Sequence, residues 1–399
     1  MLNNIKIGFL LKSPVLSKLQ PPITKATKIL ADALRSRGTI IIRHHGDCDG
    51  YCGGMAIEEG LLQLARSFGL RNEWQLIQRH AMRSPQYDIE YASSDINTMN
   101  KFGNKKGLVV LVDTGSTEDA EPGLALLKQY NIDTIIVDHH PCPLKKESMQ
   151  GSKLRTIHLN PYLVGFDSRF TAGMLGVEVA RALYPLLRNQ AFLAALSGIG
   201  DKVDGTPLNG YLRLANSMGY TKDYIWRAYV ALDYLLYLRR EPSVIVRDLL
   251  LGSRESQDSL IGRIYPISQE RREKRIAAMK RLLRLRKFGG RLLAQIELGE
   301  LFEGYSYPPP GRSIGLLYEE LCKQHNNPVV MGIGSNYIIF RGKLPQELSI
   351  ETLIASLRER LPDVEISGGG HEVAGTLWFL PADKGLVLEL VDDLFGFKK

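Results

Sequence analysis

The chain has 399 residues, 44% of them apolar, and a formal charge of +8. That composition supports a real core and excludes extensive disorder, and the length suits two domains. The basic balance favours a polyanionic partner. Four scattered cysteines exclude a disulfide framework. Cys48 and Cys52 have the spacing of a metal or redox pair, but no second pair follows, and buried thiols in a reducing cytoplasm are the expectation. Residues 5–11 are apolar but short and interrupted by Lys6. Neither a signal peptide nor a membrane span is expected there, so the chain is placed in the cytoplasm.

The first half alternates strands and helices. Residues 39–44 form a β-branched run suited to a buried parallel strand. Gly50, Gly53 and Gly54 then open a helix to about Phe68, and a further strand is expected near 74–77. Residues 108–112 are a second buried strand, followed by a helix over 117–130. Strands at 134–137 and 156–159 come next, the latter closed by Asn160-Pro161. Helices are expected over 172–187 and 190–199. This alternation predicts βαβ units and a doubly wound parallel sheet.

The character changes after about Gly205. From 211 to about 293 the pattern is helical, and its later part is basic, with Arg271, Arg272, Arg275, Arg281 and Arg284 among its cations and only Glu270 and Glu273 against them. Such a segment is either a solvated face or a phosphate-contacting surface. Pro308-Pro309-Pro310-Gly311 marks a stiff boundary. Strands follow at 329–333, 337–340 and 376–379, with a helix over 350–361. The expected division is 1–210, 211–300 and 301–399: an α/β catalytic domain, a helical basic insertion and a smaller α+β domain.

Four apolar runs in the first half end in metal-ligand residue types: His45-Gly46-Asp47-Cys48-Asp49, Asp113, Asp138-His139-His140 and Asp201. A parallel α/β sheet gathers such endings at the carboxyl ends of neighbouring strands. Asp47, Asp49, Asp113 and Asp201 offer four negative charges, which balance two divalent ions, and His45 and His139 add imidazoles. A mixed imidazole and carboxylate shell suits manganese, iron, cobalt or zinc better than calcium. Residues two apart on an extended chain point the same way, so Asp47 and Asp49 are expected to face one site from an extended segment. His139 and His140, being adjacent, diverge, one toward metal and the other toward substrate. Asp138 is placed to orient its neighbours. Asp204 is read as a turn residue, and His44 as a strand residue pointing into a helix layer.

These residues resemble the four ordered motifs of the DHH phosphoesterase superfamily. Residues 368–375, Gly-Gly-Gly-His-Glu-Val-Ala-Gly, look like the signature of the DHHA1 domain that often accompanies it. The resemblance is nearest to RecJ-like single-strand exonucleases of the archaeal branch. It implies that Asp113 bridges two metals, that His45 and Asp47 complete one site, and that Asp49, His139 and Asp201 complete the other. His140 would face the scissile phosphate, with Asp138 beside it. Manganese is the first expectation for the pair of cations, with magnesium or cobalt as alternatives.

At the substrate end, Gly368, Gly369 and Gly370 are expected to expose backbone N–H groups to a phosphate. His371 would bind phosphate or stack on a base, and Arg341 would be a second phosphate clamp. Tyr305, Tyr307 and Tyr337 are candidate stacking residues. The implied activity is exonucleolytic hydrolysis of single-stranded nucleic acid, DNA before RNA and 3′→5′ before 5′→3′, in repair or replication. The implied partners are the strand itself and a repair helicase or replisome subunit. Two alternatives stand beside it: a phosphodiesterase for short oligonucleotides or cyclic dinucleotides, and a non-catalytic replisome scaffold of the same fold.

Overall fold

A computed structural model describes residues 8–84, 86–102, 107–142, 156–238, 243–302, 307–371 and 373–397. Tyr305 and Glu372 lie outside them. The chain divides into two compact units, Met1–Tyr265 and Pro266–Lys399.

The first unit opens with α1 (Pro14–Arg35), a helix absent from the expectations above. Its N-cap Ser13 accepts from the Val15 N–H, and Pro14 takes the first turn, where a missing N–H costs nothing. There follow β1 (Thr39–His44), α2 (Cys48–Ser67), α3 (Glu73–Leu76), β2 (Ile77–Ala81), α4 (Ile89–Lys101), β3 (Gly107–Val112), α5 (Glu121–Gln129), β4 (Asp133–Val137) and β5 (Thr156–Leu159). The five strands form one parallel sheet in the order β2-β1-β3-β4-β5. Segment 74–77, expected as a strand, is mostly the single turn α3, and the strand begins at its end.

The sheet is covered on both faces. Ile40 and Ile42, Val110 and Val112, and Ile135 and Val137 point into the larger core, beneath α1, α2 and later helices. Ile41, Val109, Leu111 and Ile136 point into the smaller one, beneath α4 and α5. Burial on both faces explains why these strands read as continuous apolar runs. Six helices complete the helical part: α6 (Ala172–Leu183), α7 (Gln190–Gly200), α8 (Thr206–Ser217), α9 (Lys222–Leu238), α10 (Ser243–Leu251) and α11 (Arg254–Leu282). The border between the units falls inside α11.

Two of these helices approach each other unusually closely. A side chain on Gly176 of α6 would stand 2.6 Å from the Gly53 Cα of α2, and one on Gly60 would stand 3.1 Å from the Ala180 Cα. Small residues on both faces permit this backbone contact, which brings the start of α2 against the start of α6.

The second unit holds β6 (Arg284–Phe288), β7 (Arg291–Glu297), α12 (Pro310–Cys322), β8 (Val329–Ile333), β9 (Tyr337–Arg341), α13 (Ile350–Arg360), β10 (Ser367–His371), β11 (Ala374–Trp378) and α14 (Lys384–Leu394). Its six strands form a mixed sheet ordered β10-β11-β9-β8-β7-β6. One face packs Leu293, Met331, Ile338 and Leu377 with residues of α13 and α14. The other packs Ala294, Val330 and Ile339 with residues of α12.

The structure corrects one sequence expectation here. The basic stretch is not helical to 293, because α11 ends at Leu282 and a hairpin follows. Its two-residue turn, Gly289-Gly290, has both φ values positive at 50° and 75°, as a tight hairpin requires. Glycines 368–370 lie in regular structure. They form the edge strand β10, paired only with β11.

Candidate metal centre

The carboxyl ends of three adjacent strands deliver the site. β1 runs out into His45, β3 into Asp113 and β4 into Asp138-His139-His140. Backbone pairing continues one residue past each strand: the His45 N–H donates to the Val112 carbonyl, that of Asp113 to Val137, and that of Asp138 to Leu159. The motif residues therefore start in register along one edge of the sheet. Asp113 then turns sharply, with φ 60°, the left-handed region that aspartate and asparagine tolerate better than most residues.

Asp47 and Asp49 reach the site differently from the extended segment expected. Asp47 is the N-cap of α2, accepting from the Gly50 N–H at 3.1 Å, and Asp49 lies in the first helical turn. The buried Asp49 carboxylate accepts from the Ala172 N–H at 3.0 Å and the Gly173 N–H at 2.9 Å, the two amides that open α6. Ser197 of α7 donates to it as well. A helix N-terminus is a natural seat for a carboxylate, and the close α2–α6 contact supplies it. Asp201 arrives as the C-cap of α7.

Three overlapping groups result, each with donor atoms within 4.8 Å of one another: His45, Asp47 and Asp113; Asp49, His139 and Asp201; and Asp113, His139 and His140. His45 Nδ1 lies 3.2 Å from Asp113 and 3.3 Å from Asp47. His139 Nε2 lies 3.1 Å from Asp201, 3.5 Å from Asp113 and 3.7 Å from Asp49. Asp113 thus belongs to the His45 side and the His139 side at once.

A shell of outer contacts orients these rings. His139 Nδ1 meets the Ser168 carbonyl at 2.8 Å, which turns Nε2 toward the carboxylates. Asp138 lies behind the cluster. It accepts from the backbone N–H groups of Ser116, His139 and His140 and from His140 Nδ1 at 2.8 Å. This leaves His140 Nε2 directed away from that pairing. Asn160 donates to both the His140 carbonyl and the Ser116 hydroxyl at 2.9 Å, and that hydroxyl meets His158 Nε2 at 2.8 Å. Ser116, His158 and Ser168 carry no signal in the sequence alone, where Asn160-Pro161 reads only as the end of a strand.

The charge balance matches this donor set to cations. Burial and the neighbouring Asp113 push the Asp49 carboxyl up to about 6, and burial with Asp49 pushes Asp201 well above the carboxylate range. Burial disfavours charge on His45, yet Asp113 and Asp47 outweigh it and carry the imidazole to about 11. His139 is raised for the same reason, by Asp113, Asp49 and Asp201. Such crowding calls for positive charge that protons supply only in part. Its oxygen and imidazole donors are of the kind that hold divalent cations, and Asp113 would be placed to serve both sides.

Other expected residues sort as follows. His44 is fully buried against α2, its Nε2 2.8 Å from Arg79 and its ring edge-on to Tyr51. Asp204 is exposed in the turn after α7. In the second unit Arg341 ends β9, half-buried, and donates to the Phe340 carbonyl at 2.8 Å. Gly368, Gly369 and Gly370 are exposed along β10, and His371 is its last residue. Tyr307 is buried and shares a 3.2 Å hydrogen bond with Ser268, a packing role.

A parallel α/β sheet whose carboxyl edge gathers four aspartates and three histidines is a candidate metal-binding fold of the phosphoesterase kind. Residues 39–161 match the DHH family, N-terminal domain. Over that stretch the chain is similar to the DHH family, and it shares its fold with RecJ structures. It is 28% identical over 425 aligned residues to the uncharacterized protein MJ1198 of Methanocaldococcus jannaschii, covering 97% of this chain and 56% of that protein. The chain therefore spans about half the length of the curated relative it matches. Among solved structures it resembles a protein described as the DHH domain of PF0399, a member of the S1p family of ribosomal proteins. That likeness has a TM-score of 0.89 at 27% identity and covers 100% of this chain and 96% of the other. The fold also matches exonuclease RecJ bound to manganese, with a TM-score of 0.64 at 17% identity over 98% of this chain and 96% of that one. Among the described residues no helix is long and apolar enough to cross a membrane.

Proposed function

We propose that this protein is an exonuclease that hydrolyses phosphodiester bonds of single-stranded nucleic acid, DNA before RNA and 3′→5′ before 5′→3′. The observation that carries the reading is Asp113, whose carboxylate is shared by two ligand groups at the edge of a DHH domain. His45 and Asp47 would hold one cation, Asp49, His139 and Asp201 the other, and Asp113 would serve both. Manganese is the first choice, in keeping with the cation named for the RecJ structure.

Two cations there would supply Lewis acidity, polarising the phosphoryl group and acidifying water. The chain's own residues do the rest. Asp138 holds His140 by Nδ1 and, against the cost of burial, raises its pKa. The Nδ1 contact leaves Nε2 available to a phosphate oxygen. In the second unit Arg341 and residues 368–371 would bind the strand, the glycines through exposed backbone amides and His371 through a phosphate or a base. A role in repair or replication makes a helicase or replisome subunit the partner class to test.

The test uses single strands labelled separately at each end, as DNA and as RNA, with manganese. Release of one label as mononucleotide before the other shortens is the expected result. Internal cleavage, or hydrolysis of dinucleotides alone, overturns it. Asp113→Asn is the matched control, because asparagine tolerates the left-handed backbone at 113. It should stay folded and lose at least about 100-fold in rate. Retained activity would remove Asp113 from the centre.

A further inference from the structure

One face of the second sheet carries an unexplained aromatic pair. Along β11, Ala374, Thr376 and Trp378 alternate onto the face that presents Tyr337, Ile339 and Arg341 from β9, and Trp378 pairs directly with Tyr337. Ile339 is covered by the α12 core, but Trp378 is 46% exposed. Its ring centroid lies 5.3 Å from that of Tyr337. Tyr337 is itself braced over Gly334, where a Cβ would stand 2.4 Å from the phenol ring. Leu377 and Phe379, both buried, fix the strand on either side of the indole.

The surface beyond Trp378 is bare. Its partner on β10 is Ser367, and Gly369 lies opposite Thr376. A Cβ at Gly369 would meet nothing within 4 Å. At the far end of the same row stands Arg341, about 13 Å from Tyr337 at ~3.3 Å per residue. β9, β10 and β11 contain no aspartate or glutamate. An indole held rigid in the open, on a flat floor without acids and in line with a guanidinium, has the chemistry that receives a base at one end and a phosphate at the other. A protein-docking face would call for an apolar patch on the open side of the indole, whereas its cross-strand neighbours on β10 are serine and glycine.

We propose that Trp378, braced by Tyr337, is a base-stacking platform for single-stranded nucleic acid. It adds an aromatic subsite to the strand-binding residues of the second unit, and it rests on the nuclease reading above.

The test measures binding of labelled oligothymidylate, and of a matching abasic strand, to the full chain in EDTA, where hydrolysis is stopped. Trp378→Ala should bind oligothymidylate about tenfold more weakly, as removal of one stacked base predicts. Trp378→Phe should retain most of the affinity. The abasic strand should bind wild type and Trp378→Ala alike, and the salt slope should not change, because stacking releases no counterions. Equal affinity of wild type and Trp378→Ala for oligothymidylate would overturn the platform while leaving the nuclease reading intact. An equal loss on the abasic strand would also overturn it, by pointing to a disturbed surface. A wild-type protein that neither binds nor hydrolyses single strands would overturn both readings.

Discussion

His158 shows how a residue outside the ligand set supports the site. It is buried in β5, with Nε2 on Ser116 and Nδ1 3.8 Å from the Cys142 sulfur. Asn160 already donates to the Ser116 oxygen, so the hydroxyl proton is free to point at Nε2 and the neutral ring carries its proton on Nδ1. Burial lowers its pKa from 6.5 to about 4. A depressed histidine pKa means that the folded state resists protonation. The stabilisation is fully present above pH 6.5 and is lost as pH falls toward 4. The gap corresponds to about 3 kcal/mol. In urea unfolding, His158→Gln should therefore lose less stability than wild type between pH 6.5 and 4. Parallel pH profiles would show that the ring is not held neutral. The residues that gather at the candidate centre are legible in the sequence as metal-ligand types that end four apolar runs. The Ser116–Asn160–His158 support is not legible, since each member looks ordinary alone and they meet only when β3 and β5 are placed on either side of β4.

At the scale of elements, the close approach of α2 and α6 couples packing to chemistry. Asp49 is held by the opening amides of α6, and that helix lies where it does because Gly53 and Gly176 have no side chains. A methyl group at 176 would stand 2.6 Å from the Gly53 Cα and 3.0 Å from its carbonyl oxygen, so backbone must move. Gly176→Ala should destabilise the fold by about 1–3 kcal/mol. It should also weaken manganese binding, read by calorimetric titration, although it adds no group near the ligands. Unchanged metal affinity would mean that Asp49 keeps its place without the helix contact. The glycines of α2 are visible in the sequence as a helix opening. Their partners on α6 are not, because contact between two helices leaves no local pattern. The β6–β7 hairpin is hidden for another reason: Arg284-Leu285-Arg286-Lys287 masks the alternation of a half-buried strand, and the Gly289-Gly290 turn signal sits inside a run of basic residues.

For the whole molecule, the basic segment divides into two populations. Arg272 is buried, Arg275 donates to the Leu301 carbonyl and lies over the Phe302 ring, and Arg286 pairs with Asp392. These three serve the second unit's own packing. Arg281, Arg284 and Lys287 are exposed. If a strand runs over this surface, neutralising the exposed three should lower the log–log salt slope of single-strand binding by about 0.7 for each phosphate no longer neutralised. Dinucleotide hydrolysis should stay near wild type. An unchanged slope would assign these cations to solvation alone. Changing Arg272 or Arg275 should instead lower stability whether or not nucleic acid is present. Composition announces the positive charge, but only the fold separates cations that face solvent from those that hold the unit together.

Among the described residues the mixed sheet ends in two edge strands, each paired on one side alone, and each deters the wrong neighbour by a different means. On β6, Arg284 and Lys287 surround Leu285, 54% exposed, with like charge that repels a second copy arriving edge to edge. On β10 no charge is available, and protection comes from Gly368, Gly369 and Gly370, which lose more chain entropy than other residues when locked into an added ladder. The glycine edge can therefore remain exposed while staying a poor template for fibrils. A β-branched residue at 369 would find room for its side chain and upset that balance, turning a selective edge into an adhesive one.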